Sequence, residues 1–422
     1  MTDRSAVAVL ALRYDYTAVN RWVKRGERAR QPVPALIARA LSERLGRRVG
    51  PGDFGMVEAQ TLAARGLQYP DTAGDAISTI IDLGRADLAR RTPIEVPYVV
   101  AALGGPSRDW LLAQLGELTT EPSPRKLGLR EVAGIREMFA LFQETDVMHG
   151  RTALVEYMNS YVFPLLKRDH DVEVMRALQE AAAEQAYLVG WMAYDDGEHV
   201  LAQRYLIQAL RLAQEAGAAA LGAHILAGMS DQTNLLGHPR EALALARAGR
   251  QGLTEADSAA CLADLYILEA RASALGDGPA AARAVANAER TFARVDPDDE
   301  PEWARYIDGP YLFGEAAHCF RDLNEPDQTD QFASESAAGA AQQGRARRGA
   351  LSHAAMAAAD LLRGNVEEAA AKATHVVTLT ATVNSSRCIE TVRDLQRRFR
   401  PHAHLPDVAA FNAGAGDLLG LV

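Results

Sequence analysis

Ala186 to Glu215 reads AYLVGWMAYDDGEHVLAQRYLIQALRLAQE, and its spacing decides the fold. Small or apolar residues at Val189, Gly190 and Ala193 share one helical face, Gly197 interrupts, and Ala202, Leu206 and Ala209 step along a second helix. Steps of three and four on both sides of a glycine predict two helices joined by a turn, a helix hairpin. The facing positions are small, so the two backbones can approach closely.

The same spacing recurs downstream. Turn positions fall at Gly197, Gly237, Gly276, Asn324 and Gly364, followed five residues later by Ala202, Ala242, Ala281, Thr329 and Ala369. The steps between turns are 40, 39, 48 and 40 residues. A regular period of this size is what stacked helix pairs produce, each too small to bury its apolar face without its neighbours. The one long step contains Val295-DPDDEPEW-Ala304, whose two prolines and acidic run cannot extend a helix. A glycine and a bulky residue on the first helix, receiving a small residue from the second, resemble the tetratricopeptide (TPR) pattern. The period exceeds that family's roughly 34 residues, so the units are TPR-like.

At 422 residues and 48% hydrophobic content, the chain can bury large cores and should divide into roughly two or three units. Aromatics are only 6%, whereas Ala and Leu dominate, which favours closely packed helices and an all-α fold. The best strand candidate, Val96-Pro-Tyr-Val-Val100, is short and holds a proline. Cys261, Cys319 and Cys388 lie far apart with no Cys-x-x-Cys spacing, which predicts buried, reduced thiols in a cytoplasmic protein. The apolar run at residues 6–12 is too short for a signal peptide or a membrane span.

The net charge of −10 conceals an asymmetry. Residues 1–50 hold 11 Lys/Arg against 4 acids, a balance of +7, so the remainder carries −17. A basic head on an acidic body places any polyanion contact in the head. There, Asp15 is suited to cap a helix from Tyr16 to Arg25 with Val19, Trp22 and Val23 on its apolar face, and Gly26 ends it. Pro34 can open a second helix carrying Leu36, Ile37, Leu41 and Leu45, which Gly46 stops.

Residues 16–46 resemble the second half of a phage-repressor-type (XRE) helix-turn-helix domain: a recognition helix, a turn after Trp-x-x-x-Gly, and a closing Leu/Ala-rich helix. The resemblance implies that Thr17, Ala18, Asn20 and Arg21 face bases in the major groove while Arg25, Arg28 and Arg30 meet phosphates. It also implies a homodimer on two half-sites. The family places two helices before the recognition helix, and fifteen residues before Tyr16 are too few for both. The head is therefore a partial helix-turn-helix, either shortened or with a start upstream of Met1.

Further along, Gly66, Pro70 and Gly74 mark a linker, a helix is expected near Asp75–Arg91, and residues 119–124 read as a boundary. Leu129–Thr145 and Thr152–Lys167 read as a helix pair with Gly150 between them. The domains are then a basic head over 1–56, a helical connector over 57–125 and a TPR-like repeat domain over 126–422. The whole chain, through Gly190-WMAYDDGEHVLAQRYLIQAL and Arg240-EALALARAG, resembles regulators of antibiotic-producing filamentous bacteria that join a phage-repressor-like head to a TPR-like body.

No Gly-Lys dipeptide, His-Glu-x-x-His or Gly-x-Ser-x-Gly occurs. His402-x-His404 between prolines reads as a surface loop, and Asp195, Asp196, Glu198 and His199 as solvated charges at a turn. No enzyme activity, cofactor or metal is expected. In the TPR family the first helix of each pair lines a peptide-holding groove. Mapped through Gly190, that groove takes Glu184, Tyr187, Trp191 and Tyr194, then His224, Asp231 and Asn234, then Tyr266, then Tyr311, His318 and Arg321, with Leu351, Ala354, Ala358 and Leu361 as an apolar continuation. Aromatics with isolated polar groups suit a peptide, small molecule or protein partner, with Trp191 central. The reading is a transcriptional regulator that contacts DNA through the head and senses through the repeats. The alternative is a scaffold that binds partner proteins without DNA.

Overall fold

In the computed structural model of the chain, the described residues are 62–88, 97–114, 129–144, 147–253, 257–383 and 385–420. The chain divides after Arg65 into two units, and the description concerns the second. The expected DNA-contact residues Thr17, Ala18, Asn20, Arg21, Arg25, Arg28 and Arg30 lie outside the described residues.

Every regular element among the described residues is helical, an all-α, solenoid-like succession of helix pairs. Before the repeats come α1 (Ala73–Leu88), α2 (Gly104–Gln114), α3 (Leu129–Glu144) and α4 (Val147–Tyr157). The first repeat pairs α5 (Val172–Asp195) with α6 (His199–Ala216), and the second α7 (Ala219–Leu235) with α8 (Pro239–Gln251). The third pairs α9 (Ala259–Ser273) with α10 (Gly278–Phe292), and the fourth α11 (Gly309–Asp322) with α12 (Pro326–Gln342). The fifth pairs α13 (Ala346–Arg363) with α14 (Val366–Thr380), and α15 (Ser386–Phe399) with α16 (Pro406–Gly420) closes the row. First helices pack successively, α7 on α9, α9 on α11, α11 on α13 and α13 on α15.

Four of the five turns use left-handed backbone: Gly197, Gly237 and Gly364 at φ of 81°, 83° and 83°, and Asn324 at 57°. Left-handed backbone costs a Cβ-bearing residue about 1–2 kcal/mol, and Gly and Asn tolerate it best. Gly276 does without it; there the Asp277 carboxylate accepts from Ala280 N at 2.9 Å and caps α10. Five residues beyond each turn, Ala202, Ala242, Ala281, Thr329 and Ala369 are all 0% exposed. Opposite Ala202's helix, a Cβ built on Gly190 would lie 3.0 Å from the Leu206 side chain, so the two helices meet as closely as the small residues permit.

Of the 57–125 connector, residues 66–88 and 97–114 pack onto the repeats. Gln208 Nε2 donates to the carbonyls of Gly66 and Gln68, Arg211 donates to those of Pro70 and Asp71, and Gln203 exchanges two hydrogen bonds with the Val99 backbone. These α6 side chains satisfy an irregular segment that could not otherwise be buried. Trp110 on α2 is fully enclosed, and a Cβ at Gly222 or Gly252 would approach it to 2.1 or 2.4 Å. Gly150, expected between two helices, lies inside α4.

Candidate ligand-binding site

The first helices carry an inner line of polar and aromatic side chains, and the predicted groove residues fall on or beside it. At its start Glu184 is buried beside Arg136 at 3.3 Å; burial dominates and pushes its carboxyl up to about 7. Tyr187, Trp191 and Tyr194 follow, with ring centroids 6.5 and 5.2 Å apart in succession.

The insert at 295–308 covers the next part of the line. Pro297 and Pro301 keep it from continuing α10, and only Glu302–Ala304 forms a single tight turn. Glu300 anchors it: its carboxylate accepts from Ser258 Oγ at 2.5 Å and from Ala260 N at 2.9 Å, at the start of α9. Trp303, 4% exposed, then stacks on His224 at 4.7 Å, and the turn also meets α3. Tyr306 approaches His224 to 5.7 Å and lies beside the Tyr187 hydroxyl. Shut away from water, these groups discharge. Burial holds His224 down to about 3, and neither ring nitrogen has a protein partner. Burial pushes Asp264 up to about 8, although Tyr311 Oη donates to it at 2.8 Å.

This corrects the expected open groove: Tyr187 and His224 are covered by the chain's own insert rather than presented to solvent. A short segment of turns bearing two aromatic rings fills the wall those residues make, and burying the rings offsets part of the cost of ordering it.

Beyond the insert the line turns ionic. Arg271 of α9 donates to Asp231 at 2.9 Å and to Glu315 at 2.6 Å, and Arg348 reaches Glu315 at 3.0 Å. Burial alone would raise Glu315, but Arg271 and Arg348 outweigh it and hold the carboxyl well below its usual range. Arg387 of α15 lies 3.5 Å from Asp231 and over the rings of Trp191 and Tyr194, at 5.7 and 5.1 Å. Tyr194 Oη donates to Asp231 at 3.1 Å. One turn away, Asp195 accepts from Ser385 Oγ at 3.2 Å and pairs with Arg347 at 3.0 Å. The last helix pair is thereby tied to the first.

Between them a cavity of about 720 Å³ remains. Its walls come from the α5–α6 turn (Asp196, Gly197, His199), the end of α7 (Leu235, Leu236), Arg271, His318 and Arg321, Leu351 of α13, and one face of α15. A space of this size, part apolar and part polar, fits a small organic ligand.

Of the predicted groove residues, Tyr194, His318 and Arg321 line the cavity. Asp231 supports it from behind through Arg271 and Arg387. Trp191 is partly exposed under Arg387, and Asn234 is partly exposed outside the cavity wall. Tyr266 stands apart, beneath the Arg250 guanidinium at 5.1 Å. Sequence reasoning passed over Asp264, Arg271, Trp303, Glu315 and Arg387. A signal existed for two of them: Trp191, Asp231 and Arg271 are 40 residues apart in succession, as are Glu184, His224 and Asp264. Nothing in the spacing pointed to Trp303, which reaches the line from a loop.

The three cysteines are buried and free, with burial pushing the Cys319 thiol up to about 12. Among the described residues no helix is long and apolar enough to cross a membrane. Residues 2–57 match the family model described as SP15 N-terminal domain. No curated protein matches the chain. The fold and the site together define an all-α helical-repeat protein with a ligand-sized cavity on the inner line of its first helices.

Proposed function

We propose that the chain is a cytoplasmic transcriptional regulator, whose basic head contacts DNA and whose repeats sense a ligand, acting as a homodimer. The observation that carries the sensing half is the cavity of about 720 Å³ at the point where the last helix pair returns to the first. A ligand there meets walls from all five repeats and the closing helix at once. It would bias the angles between neighbours that contact only each other, and small angles add along a stack. The DNA half rests on the +7 head, on its resemblance to the phage-repressor domain, and on the family match that sets the same stretch apart. No reaction, cofactor or metal is assigned to the chain.

The test is fluorescence anisotropy of a labelled duplex with the full chain at two salt concentrations. Binding through phosphates should weaken steeply with salt; Arg28→Ala with Arg30→Ala should lower affinity for all sequences alike, whereas Asn20→Ala should change preference among them. Absence of duplex binding at low salt removes this reading. A specific observation favours a second one in that event: the inner face already holds a segment of the chain, the insert, through an acid and two aromatics. A scaffold that holds partner proteins would present such a face.

A further inference from the structure

Six arginines line the cavity (Arg271, Arg321, Arg387, Arg393, Arg397 and Arg398) against three acids, Asp196, Glu390 and Asp394. The deep pair, Arg271 and Arg387, is already committed to Asp231 and Glu315. The other four stand toward the mouth. Arg393 and Arg397 are one helical turn apart on α15, so the helix presents them side by side. Asp394 accepts from Arg397 at 3.1 Å and Arg398 at 2.6 Å. Burial alone would raise its carboxyl, but Arg398, Arg321 and Arg397 hold it low. Arg321 also donates twice to Asp322, at 2.9 and 2.7 Å, and Arg393 pairs with Glu390, so the four guanidiniums toward the mouth face three carboxylates and keep donors that these do not engage. His199 in the same wall has no protein partner at Nδ1. Leu235, Leu236, Leu351 and Ile389 provide an apolar side for a carbon skeleton.

We infer that this cavity binds a small molecule carrying at least two anionic groups, phosphate or carboxylate, which α15 and Arg321 clamp at the mouth. The inference deepens the ligand-sensing reading and rests on it for the site, not for DNA contact. Guanidiniums match both oxyanions in a forked, two-point geometry, and a low-dielectric cleft concentrates the field of the unmatched charges. A cleft of about 720 Å³ has room for a small molecule and not for a duplex.

The experiment follows thermal unfolding and calorimetric binding of the full chain, without DNA, on adding sodium pyrophosphate or sodium citrate, each against sodium chloride of equal ionic strength. At least one anion should raise the melting temperature by several degrees beyond the chloride control. A response to pyrophosphate alone assigns the ligand to phosphate chemistry, and one to citrate alone assigns it to carboxylates. Arg397→Ala with Arg398→Ala, both exposed, should melt like the parent without ligand and bind about tenfold or more weakly; the two lysine versions should recover part of the loss. Leu235→Glu, on the wall and 45% exposed, should repel the anion while leaving the fold intact. If neither anion exceeds chloride, or if the double alanine and Leu235→Glu variants bind as the parent does, the proposal is overturned. Anion binding in a chain that does not bind duplex DNA sustains the inference and removes the regulator; duplex binding with no anion response does the reverse.

Discussion

The wall beneath the 295–308 insert holds His224 and Asp264 neutral, whereas along the wall of the open cavity, a few turns along the same helices, Glu315 stays charged among arginines. Both are polar, both are largely buried, and both derive from the first helices of the repeats. What separates them is the partner each group was given. Under the insert His224 meets only rings, and Asp264 hydrogen-bonds to a tyrosine hydroxyl while Arg348 opposes its desolvation too weakly to offset it, so each group discharges. Beside α15, Glu315 meets two arginines, and Coulomb attraction overrides the same desolvation. Aromatic covering closes one half of the line, and paired charge leaves the other half open to a charged guest.

The largest effect expected is from Trp303→Ala, which removes the ring covering His224 and should cost about 3–5 kcal/mol in urea unfolding. With water admitted, His224 should also titrate upward from about 3 toward its ordinary value, a shift readable by NMR. A stability within about 1 kcal/mol of the parent would mean the insert lies loosely and the contrast between the two walls has another origin.

Arg271→Met tests the ionic side. It leaves Asp231 and Glu315 with Arg387 and Arg348 alone, and should destabilise by about 3 kcal/mol, the low end for breaking a buried pair because partners remain. A neutral outcome would show that Arg387 and Arg348 by themselves neutralise the line.

Somewhat smaller is the effect of Ala202→Leu or Ala242→Leu, about 1–3 kcal/mol each, since both alanines are fully enclosed at the close point of a hairpin. These changes should weaken both walls equally, because they spread helices on which both depend. Melting curves that coincide with the parent's would contradict the repeat register itself.

The subtlest change is in pH dependence. Asp264 keeps its proton in the folded chain up to about pH 8, while the unfolded chain loses it near the ordinary carboxyl range. Folded protein therefore binds more protons between those limits, and this group's contribution to stability falls as pH rises through them. Asp264→Asn, which still accepts from Tyr311, should remove that decline between about pH 5 and 8 and so melt at a temperature less dependent on pH than the parent. Parallel profiles would show that Asp264 is ionised and that the covered wall is less dry than its packing implies.

The repeat architecture was open to reading because it is written at short range. A glycine that must turn left-handed and an alanine that must fit under a neighbouring helix are one-residue requirements, and they recur at a fixed step. Glu184, Tyr187, Trp191 and Tyr194 were placed on one face by the same arithmetic. The mapping failed at Tyr266, where two steps of 40 from Trp191 lead to Arg271 instead, and at Gly150, where a glycine was tolerated within a helix. The packing of the connector was not legible, because its prolines and glycines read locally as a linker. Its backbone carbonyls are satisfied by Gln208 and Arg211, about 140 residues away.

From its sequence alone this protein was determined to be a row of helix pairs with small residues at their contact points, a basic first fifty residues and an acidic remainder. Periodicity and turn chemistry act between residues a few positions apart, so one chain suffices to read them. Only the tertiary structure decided that the insert would cover Tyr187 and His224, that Asp195 would meet Ser385, and that Arg387 would complete a cavity begun by Tyr194 and His318. Those outcomes depend on which elements distant in sequence come together and on how much water is left between them, and the desolvation that follows sets the protonation of each group it touches.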